Sequence, residues 1–243
     1  MLKDLKFNMK TREKCFDCFR PKHFCFCHLL EKFTLKSKIV ILIHPMEAKK
    51  EKLGTGRITS AAIENSELIM GVDFTNDKRV NELINDPLNY PMVLYPGEDA
   101  LNISDPEPDK LEHLKNKTPV IFVIDGTWPC AKKMMTLSKN INSLPRISFT
   151  TDKMSEFYIK HQPHKMALST IESVHILIKD LGKASIEQID GKEDSMIKAF
   201  KAMVQKQLDC ASDPSIPSNR GRKSTRERTQ KIREKRHRSF ILK

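Results

Sequence analysis

The sequence predicts an α/β protein: a mainly parallel sheet with helices on both faces, preceded by a small cysteine-rich lobe. Three observations carry this reading. Short apolar, β-branched runs recur as "KIVILI", "MVLY", "VIFVI" and "RISFT". They lack the in–out alternation of a half-solvated sheet and read as strands buried on both faces. Helical patterns separate these runs, the alternation that builds parallel sheets. Four cysteines fall together near the start, at Cys15, Cys18, Cys25 and Cys27.

Each element follows in order. Residues 1–37 form a head rich in Cys, His and Lys. Lys38–Pro45 is a strand stopped by proline. "GRITSAAIENSELIM" is expected as one helix, with Ile58, Ala61, Ala62 and Leu68/Ile69 as its apolar positions. Met92–Ala100 gives a second strand and a turn, and "PVIFVIDG" a third strand. A helix then opens with Pro129, a residue suited to the first turn. "RISFT" is the fourth strand. "LSTIESVHILIKDL" is a helix with Gly182 as its expected stop. From Lys192 to Leu208, the residues Met196, Ile197, Phe200, Met203, Val204 and Leu208 share a face, which predicts an amphipathic helix. Past Cys210 the chain turns Ser/Pro/Arg-rich and is expected to be disordered unless bound. The expected organisation is a head over 1–37, a catalytic domain over 38–210 and a basic tail over 211–243.

Charge is unevenly placed. The chain of 243 residues carries a net +12. Residues 1–38 hold ten Lys/Arg against four Asp/Glu, and residues 220–243 hold eleven against two. The stretch between is nearly neutral, with twenty-two against twenty-five. Basic ends on a neutral middle point to contact with a polyanion, a nucleic acid above all; solvated tails are the plainer alternative. No run approaches the ~18–20 apolar residues of a membrane span. The N-terminus lacks the apolar stretch of a secretory signal. A cytoplasmic protein with reduced cysteines is expected, with no obligate protein partner.

The array C-x2-C-x6-C-x-C suits a tetrahedral, all-thiolate zinc site of structural type, because four thiolates leave no open position. An iron–sulfur cluster is the competing occupant. His23 and His28 are spare donors. Cys130 and Cys210 stand alone and read as small packing residues. "GTGRITS" lacks the third glycine and the tight strand–turn–helix of a dinucleotide loop. Gly54-Thr55-Gly56-Arg57 is therefore either an anion-binding helix start or an ordinary one.

In a parallel sheet the ligand lies beyond the carboxyl ends of the strands. Three such ends carry unusual chemistry here: "IHPME", "LYPGED" and "IDGTW". Asp125 and the single tryptophan, Trp128, thus sit where an active site is expected.

These motifs together resemble the DTW-domain family over roughly residues 15–182. The resemblance rests on the cysteine array, His44-Pro45 with Glu47, Thr55-Gly56-Arg57, and Leu94-Tyr95-Pro96. It continues through Asp125-Gly126-Thr127-Trp128 with Ala131 and Met134, Leu144-Pro145, Tyr158 with Pro163, and Leu168-Ser169-Thr170 with Glu172. Gly54, Cys130 and Lys160 depart from the residues common in relatives, which are Asn, Gln and Arg.

The resemblance implies a tRNA-uridine aminocarboxypropyltransferase. Such enzymes move the 3-amino-3-carboxypropyl group of S-adenosylmethionine to N3 of a uridine, typically in the tRNA variable loop, and leave methylthioadenosine. It also implies kinship with the SPOUT class, whose C-terminal trefoil knot holds the cofactor. Asp125 is the first choice for the group that takes or orients the N3 proton, with a turn-stabilising role as the alternative. Glu172 is a second carboxylate, or a helix-dipole partner. Trp128 and Tyr95 stack on a base or fill the core. Leu168, Ser169 and Thr170 meet the cofactor or merely cap a helix. Arg57 faces a carboxylate or an RNA phosphate. The expected S-adenosylmethionine site thus comprises Thr55, Gly56, Arg57, Leu94, Tyr95, Pro96, Gly126, Thr127, Trp128, Leu168, Ser169 and Thr170. Two rival functions fit parts of the pattern: a SPOUT-like RNA methyltransferase, and a zinc-ribbon RNA-binding protein without catalysis.

Overall fold

The computed structural model describes residues 13–50, 54–157 and 167–212. Most of the basic tail, the first twelve residues, and Tyr158, Lys160 and Pro163 lie outside the described residues. The chain divides into two compact units, Met1–Val204 and Gln205–Lys243.

The first unit is built on a six-stranded sheet in the order β2-β1-β5-β3-β6-β4. Its strands are β1 (Lys38–Ile43), β2 (Glu67–Met70), β3 (Asn89–Leu94), β4 (Leu101–Asn102), β5 (Thr118–Asp125) and β6 (Arg146–Ser148). Every pairing is parallel. The helices are α1 (Pro45–Lys50), α2 (Gly56–Ala62), α3 (Lys78–Asn85), α4 (Glu112–Asn116), α5 (Trp128–Leu137), α6 (Lys139–Asn142), α7 (Thr170–Lys183) and α8 (Asp194–Ser212).

Alternation along the central strands feeds two cores. Ile39, Ile41, Ile121 and Val123 face α2, α4, α7 and the first turns of α8, through Ile58, Leu114, Ile171, Leu177 and Phe200. Val40, Leu42, Val120 and Phe122 face α3, α5 and α6, through Val80, Leu83, Met134, Met135 and Ile141. Helices therefore cover both faces, as the continuous apolar runs predict. Pro91 sits within β3 without breaking a ladder. Val93 and Tyr95 donate toward the β6 side, to Pro145 and Ile147. Pro91 points the same way two residues earlier, before β6 begins.

Two expectations are corrected. The helix expected over residues 56–70 ends at Ala62, and Glu67–Met70 is the edge strand β2. Ile63 turns extended and bridges Phe33. The Ser66 hydroxyl donates to the carbonyls of Ile63 and Ser60, and the Asn65 amide binds Leu35. These bonds satisfy the helix end and release the chain to pair with β1. Gly182 does not stop α7. The helix runs to Lys183, and Ser185 takes the left-handed turn at φ 58°. Gly182 is instead a close-approach position: a Cβ there would lie 2.7 Å from the Ile189 side chain.

The cysteine lobe packs onto the sheet's first core through Cys18, Phe26 and Leu30. Among the described residues no helix is long and apolar enough to cross a membrane.

Candidate active site and metal centre

All strands run parallel, so their carboxyl ends meet on one edge. Ile43 is paired with Asp125 across β1 and β5. The His44 N–H just beyond donates to the Asp125 carbonyl at 2.9 Å. Asp125 follows Ile121 and Val123 in alternation, so its side chain turns to the α2/α7 face. There it is buried, and its Oδ1 accepts from the Thr170 hydroxyl at 2.6 Å. The first residue of α2 lies against the same carboxylate. A Cβ on Gly56 would come within 2.9 Å of Asp125 Cγ and closer still to Oδ2. Glycine is the residue that lets α2 approach this closely.

Beside this carboxylate opens a cleft of about 560 Å³. Leu94, Tyr95 and Pro96 form one side and Gly126 and Trp128 another. Leu168, Thr170 and Ser173 of the α7 start close it, and Ile147 to Thr151 supply the remaining wall. The volume is that of a small-molecule site. Its described lining is apolar and hydroxylic, with no formally charged side chain. Trp128 is the first residue of α5 and is 42% exposed, so its ring is no core filler. Thr127 caps α5 by accepting Ala131 N–H on its carbonyl, and Pro129 lies in the first turn.

The expected site residues thus separate into groups. Leu94, Tyr95, Pro96, Gly126, Trp128, Leu168 and Thr170 come together around the cleft. Gly56 lies behind it, against Asp125, and Thr55 before it is buried. Arg57 turns away, with its guanidinium 4.4 Å over the Phe19 ring and a 3.3 Å bond to the Ala48 carbonyl. Ser169 and Glu172 form a capping box at the start of α7. Glu172 Oε2 accepts from Ser169 N and Oγ and from Ser155 Oγ, and its Oε1 accepts from Glu156 N. This buried carboxylate ties the segment after β6 to the head of α7.

Sequence reasoning noted His44 only as part of a motif, without a site role, and left out Ser148 to Thr151. His44 lies beside Gly126, whose Cβ position is 3.5 Å from the His44 Cβ. Its Nδ1 accepts from Met46 N–H, which puts the ring proton of a neutral imidazole on Nε2. The "HP" at a strand end was the available signal. Ser148 to Thr151 also line the cleft, and the hydroxyl-rich end of "RISFTT" marked them.

The four cysteine sulfurs lie within 4.8 Å of one another. Cys15 and Cys27 are 4.0 Å apart, and Cys18 and Cys25 are 3.8 Å apart. Zinc–sulfur bonds of about 2.3 Å at tetrahedral angles require separations of about 3.8 Å. The set therefore fits such an ion, and His23 and His28 are not in it. Hydrogen bonding with the Cys27 thiol holds Cys18 down at about 5, and Cys27 is pushed up in return.

A parallel α/β domain with a neutral cleft at its strand ends and a tetrathiol lobe is the class of protein so defined. Residues 12–208 match the DTW domain model, and the chain belongs to that family. It is 26% identical over 205 residues to tRNA-uridine aminocarboxypropyltransferase 2 of Drosophila melanogaster, covering 82% of this chain and 76% of that one. The Macaca fascicularis protein of the same name is 26% identical over 207 residues, covering 82% of this chain and 65% of that one. The Arabidopsis thaliana tRNA-uridine aminocarboxypropyltransferase A is 28% identical over 139 residues, covering 53% and 52%. No solved structure matches the chain.

Proposed function

We propose that this chain is a tRNA-uridine aminocarboxypropyltransferase. It transfers the 3-amino-3-carboxypropyl group of S-adenosylmethionine to N3 of a uridine in tRNA, in the variable loop, and releases methylthioadenosine. The observation that carries the proposal is the cleft, lined by Gly126 and Trp128, Leu94-Tyr95-Pro96, and Leu168 and Thr170, with the Asp125 carboxylate bonded to Thr170 just behind that wall. The names of the relatives point the same way. Kinship with the SPOUT class, and its C-terminal knot, belong to the same proposal. So does a cytoplasmic setting, which suits six free thiols.

The residues divide the work as follows. The apolar side of the cleft, at Leu94, Ile147 and Leu168, takes the adenosine, and the hydroxyls of Thr150, Thr151 and Ser173 supply polar contacts. S-adenosylmethionine brings an activated γ-carbon next to its sulfonium. Trp128 stacks on the extruded uracil, as an exposed aromatic at a cleft mouth can. Asp125 orients the base and receives the N3 proton, and Thr170 holds its carboxylate in place. Glu172 positions the head of α7 rather than the proton. Gly56 supports Asp125 from behind, and Thr55 caps α2, the helix that Gly56 begins. Structural zinc on Cys15, Cys18, Cys25 and Cys27 staples the lobe, with no open position for chemistry.

The test is to incubate the protein with S-adenosylmethionine and unmodified tRNA and identify the small co-product by mass spectrometry. Methylthioadenosine, with turnover lost in Asp125→Ala and RNA binding kept, is expected. Adenosylhomocysteine would make the chain a methyltransferase. RNA binding with no turnover over several tRNAs would favour the non-catalytic reading.

A further inference from the structure

We propose that Phe19 and Arg20, carried on the cysteine lobe, are positioning residues for Asp125. The lobe then acts in the chemical step and is more than an RNA grip. The proposal rests on the reading of Asp125 given above.

The Cys15–Cys18 turn fixes both residues. Cys15 N–H donates to the Arg20 carbonyl at 2.7 Å, and Phe19 N–H donates to the Cys15 carbonyl at 3.0 Å. Ligation of Cys15 and Cys18 would lock this turn. From it, two side chains reach across to the start of α2. Arg20 is only 6% exposed, and its Nη2 donates to the Gly54 carbonyl at 2.9 Å. The Phe19 ring lies 4.4 Å under the Arg57 guanidinium. These two contacts bracket Thr55 and Gly56, and Gly56 is the residue pressed against the Asp125 carboxylate. A continuous path of contacts thus runs from the sulfurs through Phe19 and Arg20 and the 54–57 segment to Asp125.

Phe19 holds φ at 59°, a left-handed backbone that costs a non-glycine residue about 1–2 kcal/mol. A turn needing only that backbone would be better served by glycine. The ring is what glycine cannot supply, and the ring is what meets Arg57. A displacement of the 54–57 segment moves the wall behind Asp125, and errors of about 1 Å in such a group cost on the order of 100-fold in rate.

The experiment uses the full-length protein as Phe19→Gly, Arg20→Ala and Arg20→Lys. Phe19→Gly relieves the backbone and removes the ring, so it tests the contact without threatening the turn. Each variant is assayed for metal content, for hydrogen exchange over residues 54–63 and 125–131, and for kcat and KM with tRNA. Both variants are expected to keep the metal and to exchange faster over 54–63, roughly tenfold for Arg20→Ala and about two- to fivefold for Phe19→Gly, whose ring is half-exposed, with β1 and β5 unchanged. Their kcat should fall, about tenfold for Arg20→Ala and a few-fold for Phe19→Gly, while KM for tRNA stays within about twofold, and Arg20→Lys should recover part of the loss. Chelation of the metal should reproduce the exchange change in the wild-type chain. Unchanged exchange, or a raised KM with kcat intact, overturns the proposal. If the wild-type chain shows no turnover, the functional reading fails, and the exchange arm alone decides whether the lobe braces this segment.

Discussion

Gly56 and Asp125 are a matched pair at the residue scale. One residue gives up its side chain so that the other can keep its carboxylate where α2 begins. Gly56→Ala would place a methyl group against Asp125 and within 3.3 Å of Ile41 Cγ2. Neither neighbour is the loose end of a long side chain, so the strain should cost about 1–3 kcal/mol. Activity is expected to drop by more than the loss of folded protein explains, because the displaced group is the proposed base. Denaturant melts run beside single-turnover rates would check this. A variant with normal rate and normal stability would mean that the carboxylate has room to move. Asp125 and Trp128 stood out in the sequence by their place at the end of an apolar strand, and the fold buries the first beside Thr170 and leaves the second 42% exposed on the cleft wall. Glu172 carried two readings in the sequence, a second carboxylate or a helix-start partner, and its surroundings supply the second. Its "STIE" pattern is a capping-box signature, and four donors surround the carboxylate in the fold.

At the scale of elements, Glu172 joins two pieces of chain that sequence separates by some fifteen residues. It accepts from Ser155 and Glu156 on one side and from Ser169 on the other. Glu172→Gln keeps the shape but turns an NH2 group toward a donor. Charge-assisted bonds of this kind are each worth about 1.5–3 kcal/mol, so a loss of about 2 kcal/mol is expected, or about 4–8 °C in Tm. Calorimetry would read it, and a loss below about 0.5 kcal/mol would refute the tether. The edge strand β2 offers a pH test. Glu67 there binds Arg79 of α3 and Lys38 of β1, and the Arg79 guanidinium with Lys38 holds its carboxyl down at about 2. A depressed carboxylate contributes stability that is full above the ordinary pKa near 4.5 and fades as pH falls toward about 2. Glu67→Gln should therefore melt below wild type at pH 6, with a gap that narrows below about pH 4.5 and closes only near pH 2. A constant gap across that range would assign the effect to packing. The central strands β1 and β5 were legible because burial on both faces writes an unbroken apolar run. The edge strands β2 and β4 were not. They are four and two residues long, half-exposed, and held by pairing that no local pattern announces. The helix α3 did carry a signal, an Asp77 N-cap with Val80 and Leu83 buried behind it.

At the scale of the whole molecule, charge and chemistry occupy different parts of the chain. The described lining of the cleft is neutral, and the excess of Lys and Arg lies at the two ends. A tetrathiolate zinc centre would itself be anionic, and nearby cations of the head would partly offset it. The tail is then the better source of long-range attraction for RNA. Its structure lies outside the described residues, but its eleven Lys and Arg against two acids over 220–243 do not depend on a fold. Each phosphate such a segment neutralises adds about 0.7–0.9 to the slope of log affinity against log salt. If the tail meets about four phosphates, removing residues 213–243 should flatten that slope by about 3. Turnover at saturating tRNA should stay near wild type, because the cleft, Asp125 and the cysteine lobe all precede the cut. Binding titrations of both chains over a range of salt concentrations would separate the outcomes. A flatter line with kcat preserved assigns capture to the tail and chemistry to the sheet. Parallel lines would mean that the basic end does not touch the RNA, and the grip would then have to come from the head and the rim around Trp128.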